Sequence, residues 1–170
     1  MKKIALLLCL ILLTGCSHDN SEEQKNDTGK VNEISTTEIP TAKPQENYTA
    51  IEVATKLKEA GLPIENIIEY NEQNDVNGLL GKPNSYTSKV NFADSTLEQF
   101  DKENPDGGSI EVFNNEEDME ARKTYIETVS KGVAFAQQFY FTKGNILLRL
   151  DHDLSIEQAT KYEEALESLK

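Results

Sequence analysis

Apolar residues enter this chain in distinct rhythms. The first is an unbroken run from Ile4 to Leu13, about ten residues. That is the length of a secretory signal core and half of the ~20 residues a membrane-spanning helix requires. In residues 17–47 the only large apolar side chains are Val31, Ile34 and Ile39, which follow no period. A segment of that kind cannot bury enough apolar surface to offset its chain entropy. It predicts a disordered acidic spacer, whose ends as a flexible coil lie roughly 30 Å apart on average. All six Tyr and all six Phe fall at or after Tyr48, and from there the pattern becomes that of a folded domain.

That domain opens with Thr49-Ala50-Ile51-Glu52, a capping box at a helix start. Val53, Ala54, Leu57 and Ala60 follow at near-helical spacing, and Gly61 with Pro63 ends the helix. Residues 64–70 carry Ile67-Ile68 and suit a short strand or a helical turn equally. Residues 71–86 are rich in turn formers, with Asn77-Gly78, Gly81 and Pro83. Ser88-Lys89-Val90-Asn91-Phe92 alternates as a strand with Val90 and Phe92 inward. A polar connection with the turn Pro105-Asp106-Gly107-Gly108 leads to a second strand, Ile110 and Val112 on one face.

Asn115 then caps a helix with an acidic first turn, Glu116, Glu117 and Asp118, favourable at the positive end of its dipole. Met119, the Arg122 stem, Ile126 and Val129 lie on one side with Tyr125 beside them, and Gly132 is the stop. Alternation from Val133 to Phe141 predicts a strand with Phe135, Gln137, Phe139 and Phe141 on one face and Gln138 and Tyr140 on the other. Lys143-Gly144-Asn145 turns it into a hairpin with Ile146-Leu147-Leu148-Arg149-Leu150. Ser155-Ile156-Glu157-Gln158 is a second capping box, opening a helix with Ile156, Ala159, Tyr162, Leu166 and Leu169 along one face.

Hairpin strands with helices between them predict an α+β fold: one small domain, an antiparallel sheet of about four to five strands with helices on one face. The Phe face of the hairpin packs under the helices in this reading, and the face of Gln138, Tyr140 and Arg149 is solvated. The expected organisation is residues 1–15 as a cleaved leader, 16–48 as the anchoring Cys and spacer, and 49–170 as the domain.

The leader ends in Leu13-Thr14-Gly15-Cys16, an aliphatic residue, two small ones and Cys. This resembles the bacterial lipobox. The resemblance implies cleavage of the Gly15–Cys16 bond, with covalent diacylglycerol on the Cys16 thiol. One acyl chain anchors marginally and two anchor stably, so the expected location is the outer face of a cell membrane. The abundance of Lys and Asn and the absence of Trp suit a low-GC Gram-positive source. Gly78-Leu79-Leu80-Gly81-Lys82-Pro83-Asn84, Tyr86-Thr87-Ser88-Lys89, Ile146-Leu147-Leu148-Arg149-Leu150 and the Gln158-Ala159 helix together resemble small uncharacterised lipoproteins and secreted proteins of such bacteria. That resemblance implies a shared domain and no particular activity.

Composition narrows the function. Cys9 falls in the leader and Cys16 takes lipid, so the domain has no cysteine and relies on its core. The formal charge is −13, which argues against nucleic acid as a partner. His152, between Asp151 and Asp153, is the domain's one histidine, and no Gly-x-Ser-x-Gly elbow accompanies it. Three consecutive residues do not converge easily on a metal ion. Residues 71–78 and 101–108 depart from a calcium loop at the positions that matter, and Gly78-x-x-Gly81-Lys82-Pro83 lacks phosphate-loop spacing. Carboxylate pairs for glycosidase work can be drawn from many acids, without specificity.

No cofactor beyond the lipid is expected. The candidate partner-binding surface is the loop bearing Leu79, Leu80, Lys82, Tyr86 and Lys89, since exposed Tyr with basic neighbours is common at interfaces. The leading expectation is a non-enzymatic binding module for an envelope protein or peptide. An inhibitor or immunity protein and a carboxylate-based accessory hydrolase are the alternatives.

Overall fold

The computed structural model describes residues 48–133 and 136–170. Gly15, Cys16 and the spacer lie outside the described residues, as do Ala134 and Phe135. The elements run α1 (Ala50–Glu59), β1 (Ile64–Glu69), β2 (Tyr86–Asp94), β3 (Gly107–Phe113), α2 (Glu116–Ser130), β4 (Gln138–Lys143), β5 (Ile146–Asp151) and α3 (Ile156–Glu167). The strands form one antiparallel sheet in the order β1-β2-β3-β5-β4. This is the expected α+β domain, with five strands, and the stretch after Pro63 is a strand.

The capping residues act as the sequence implies. Thr49 and Glu52 close a reciprocal box at the start of α1, and Ser155 and Gln158 do so at α3. Asn115 Oδ1 accepts from the Asp118 N–H at 2.8 Å to begin α2. Each box satisfies N–H groups that the first helical turn leaves without partners.

One sheet face carries the larger core. Val90, Ile110, Leu148 and Phe141 stand in a row across four strands. Beside them Phe92 and Leu150 flank Gly108. Val53, Ala54 and Leu57 of α1, and Ala159, Tyr162 and Leu166 of α3, cover this face. Fully burying each large apolar side chain contributes about 1.5–3 kcal/mol. Tyr162 stacks on Phe92 with ring centroids 5.9 Å apart, and its hydroxyl donates to the buried Asp94 carboxylate at 2.7 Å.

Gly107 and Gly108 belong to β3 and do not form a turn. A Cβ at Gly108 would sit 2.6 Å from the Phe92 ring and 2.7 Å from the Arg149 carbonyl; at Gly107 it would meet the Asp94 nitrogen at 2.3 Å. Only a residue without a side chain lets the neighbouring strands and ring close over this point.

The helices do not share one face. Tyr86, Phe113, Met119, Ile126 and Leu147 form a second core, and this one places α2 on the opposite side of the sheet from α1 and α3. Leu147 is buried beneath it while Leu148 belongs to the first core. Both faces of the central strands are therefore covered, and the face of Tyr140 and Arg149 is not simply solvated.

Some edges of the pattern also shift. Val129 is 56% exposed and Ile156 77% exposed, so neither joins its helix's buried stripe; Ala60 is exposed as well. β4 begins at Gln138 and not at Val133. The backbone first turns through N–H bonds from Val133 to Ser130 and from Ala136 to Val133, and the Gln137 side chain donates to the Ser130 carbonyl.

Candidate binding cleft on the second sheet face

The second face is organised by cross-strand register. Lys89 of β2 pairs with Glu111 of β3, and in the next row Asn91, Ser109, Arg149 and Tyr140 cross from β2 to β4. These polar side chains stand where an antiparallel sheet would ordinarily show either solvent or a hydrophobic layer. α2 packs on this face and adds Arg122. A loop, residues 71–85, packs its Leu79 and Leu80 on the same core.

Asp75 holds that loop. Its Oδ2 accepts from the N–H groups of Leu79 (2.9 Å) and Leu80 (3.0 Å) and from the Tyr86 hydroxyl (2.7 Å). Lys89 Nζ stands 3.6 Å from Oδ1, and both side chains are almost fully buried. Burial alone would raise the Asp75 pKa, but the Tyr86 hydroxyl, the Leu80 and Leu79 N–H groups and the Lys89 charge outweigh it and hold the carboxyl at about 2. Burial pushes the Tyr86 pKa up, and its bond to Asp75 adds to that. The Lys89 pKa is lowered by burial, with Glu111 and Asp75 offsetting part of the effect. Lys89 also lies over the Tyr70 ring, 4.6 Å from its centroid, where the ring's negative face favours a cation.

Glu111 is the second buried acid of this face, fully enclosed and shared by two guanidinium groups. Arg122 Nε donates to its Oε2 at 3.3 Å, and Arg149 Nη2 to its Oε1 at 3.2 Å. Arg149 Nη1 is held by Gln138 Oε1 at 3.2 Å, and Nη2 also donates to Ser109 Oγ at 3.2 Å. The Arg122 guanidinium rests near the rings of both Tyr86 and Tyr125, 5.9 and 5.8 Å from their centroids. Removing one member of such a network leaves an uncompensated buried charge and costs about 3–5 kcal/mol.

Between loop and helix the face opens into a cleft of about 290 Å³, lined by Lys89, Asn91, Ser109, Arg122, Gln138 and Arg149 among others. Two buried polar atoms at this place make no hydrogen bond: Arg149 Nε and Asn91 Oδ1. A buried polar group left unpaired costs about 1–3 kcal/mol, and both of these atoms belong to residues that line the cleft.

The residues singled out from sequence divide accordingly. Leu79 and Leu80 are partly buried and pack on the second core, and Lys82 is exposed. Tyr86 is fully buried and Lys89 only 4% exposed, so the loop does not present an exposed Tyr with basic neighbours. The reason is Asp75, which gives the Tyr86 hydroxyl an acceptor inside the fold and frees the ring to be buried.

Asp151, His152 and Asp153 bring their ligand atoms within 4.8 Å of one another, closer than consecutive residues suggest. The His152 ring nitrogens lie 3.0 Å from Asp151 and 3.5 Å from Asp153. This is a turn whose histidine already faces a carboxylate at each ring nitrogen.

Sequence reasoning passed over Asp75, Glu111 and Asn91, and valued Arg122 only for its stem. A signal was present: the chain has only two arginines, and both converge on Glu111. Compared with known proteins, the chain matches no family model, no curated protein and no solved structure.

Proposed function

We propose that this protein is a lipid-anchored, extracytoplasmic binding module that engages an envelope protein or peptide without chemical turnover, and that the cleft between α2 and the 71–85 loop is its binding surface. The observation that carries the reading is the cleft itself, where Lys89, Arg122 and Arg149 meet around two buried acids and leave polar atoms unmatched. A network built only for stability gains little from such charges, because apolar side chains of similar volume serve as well or better. Ligand sites, by contrast, combine concavity with a few convergent polar groups. The lipobox Leu13-Thr14-Gly15-Cys16 and the acidic spacer supply the tether in this reading.

The test is photocrosslinking in the producing cell from position 77, where Asn77 stands exposed on the cleft rim, with position 157 on α3 as the control. The expected result is one specific product from position 77. It disappears in Cys16→Ala, which also loses metabolic lipid labelling. Equal products from both positions would overturn the assignment of the cleft, and none from either would overturn the reading of an envelope protein or peptide as the partner.

A further inference from the structure

The cleft is more selective in its cations than the protein's composition requires. Fifteen of its basic residues are lysines and two are arginines, and both arginines are here. A general need for positive charge is met by lysine. A guanidinium differs in offering a planar fork of N–H groups that matches the paired oxygens of a carboxylate. The internal carboxylate Glu111 engages Arg122 through Nε and Nη2 and Arg149 through Nη2. Arg122 Nη1 and Arg149 Nε remain without a partner among the described residues.

Charge limits the ligand further. Lys89, Arg122 and Arg149 bring three positive charges, and the enclosed Asp75 and Glu111 cancel two of them. These five groups leave one net positive charge, and Asp151 on the cleft wall offsets it, so the lining as a whole is neutral and favours a monoanion held by hydrogen bonds over a phosphate dianion. The remaining unmatched atom, Asn91 Oδ1, is an acceptor and calls for an N–H on the same ligand. Its amide nitrogen is already committed to the Tyr70 hydroxyl at 3.0 Å. A volume of about 290 Å³ is at the small end of ligand sites, which run from ~300 to ~1,000 Å³.

Resting on the cleft as the binding surface, we propose that it takes a free α-carboxylate with its adjoining amide N–H: the C-terminus of a peptide, or an N-acylated amino acid. The carboxylate meets the arginine edges, and the N–H turns toward Asn91.

Because the chain has two arginines, protein labelled with ¹⁵N-arginine gives two Nε–Hε resonances, assigned with Arg122→Lys. Full-length protein in mild detergent is titrated at low salt with N-acetylglycine, N-acetylglycinamide and inorganic phosphate. Acetylated pentaglycine, as free acid and as amide, distinguishes the two sources. The expected result is a saturable shift of the Arg149 resonance with the acids and none with the amides. Tighter binding of the pentaglycine acid points to a peptide end, and equal binding to a small acid.

Gln138→Glu keeps an acceptor for Arg149 at a half-buried position but installs a fixed competing carboxylate. It should weaken binding about tenfold, the cost of one charge repulsion in this setting, with an otherwise unchanged spectrum. Equal response to acid and amide, tighter binding of phosphate, or no saturable shift with either acid would overturn the proposal. A crosslinked partner from position 77 together with no carboxylate binding rejects this ligand class alone. Carboxylate binding without any partner rejects the envelope-protein reading and keeps the ligand class.

Discussion

Asp75 is the acid around which the 71–85 loop turns, and it makes the order of that loop a function of pH. Its folded pKa of about 2 lies below the ~3.9 of an unfolded Asp. A depressed carboxylate contributes stability that is complete above the unfolded value and is lost as pH falls through the folded one. The window is therefore from pH ~4 down to about 2. Urea unfolding across it should show wild type losing stability more steeply than Asp75→Asn. At neutral pH the variant should be less stable by about 1–3 kcal/mol, since it unbalances the bonds to Leu79, Leu80 and Tyr86. The two curves should draw together near the acid end. Parallel curves would mean that the loop is held by something other than this carboxylate.

At the scale of elements, α2 shows where sequence patterning reaches and where it stops. Its apolar positions predict a buried stripe through Met119, Ile126 and Val129, yet only the first two are buried. Met119→Ala should cost about 2–5 kcal/mol by equilibrium unfolding, and Val129→Ala less than about 0.5; similar costs for both would contradict the packing of α2. The strands were more legible, because Val90, Phe92, Ile110 and Val112 alternate and that alternation coincides with one buried face. The opposite face was not, for a local reason. The β2–β3 register shifts between Tyr86 and Ser88, so Tyr86 and Lys89 reach the same side although simple alternation separates them. The cleft was hidden by distance along the chain. Arg149 meets Glu111 and Ser109 across 38 and 40 residues, and those pairings exist only once β5 is inserted beside β3.

The molecule as a whole carries 30 acidic against 17 basic residues and a net charge of −13. That excess is carried by the surface, because the inward-turned cations Lys89, Arg122 and Arg149 are matched in number by the buried acids Asp75, Asp94 and Glu111. The surface pairs of Lys123 with Glu120 and Glu127, and of Lys161 with Glu157, are worth little each, about 0.3–0.5 kcal/mol at helical spacing. Net repulsion therefore acts on the folded state and is relieved when the chain expands. Screening decides how much of it is felt. The Debye length falls from ~30 Å at ~0.01 M salt to ~8 Å at ~0.15 M, from about the width of the domain to a fraction of it. Over that range, differential scanning calorimetry at neutral pH should show the melting temperature rising by about 2–4 °C, or ~1 kcal/mol for a chain of this size. The buried Glu111 pairs sit out of reach of the added ions and do not offset the gain. A melting temperature that fell with salt would show that attraction among surface pairs dominates, and that the acids are placed beside cations more closely than their numbers allow on average.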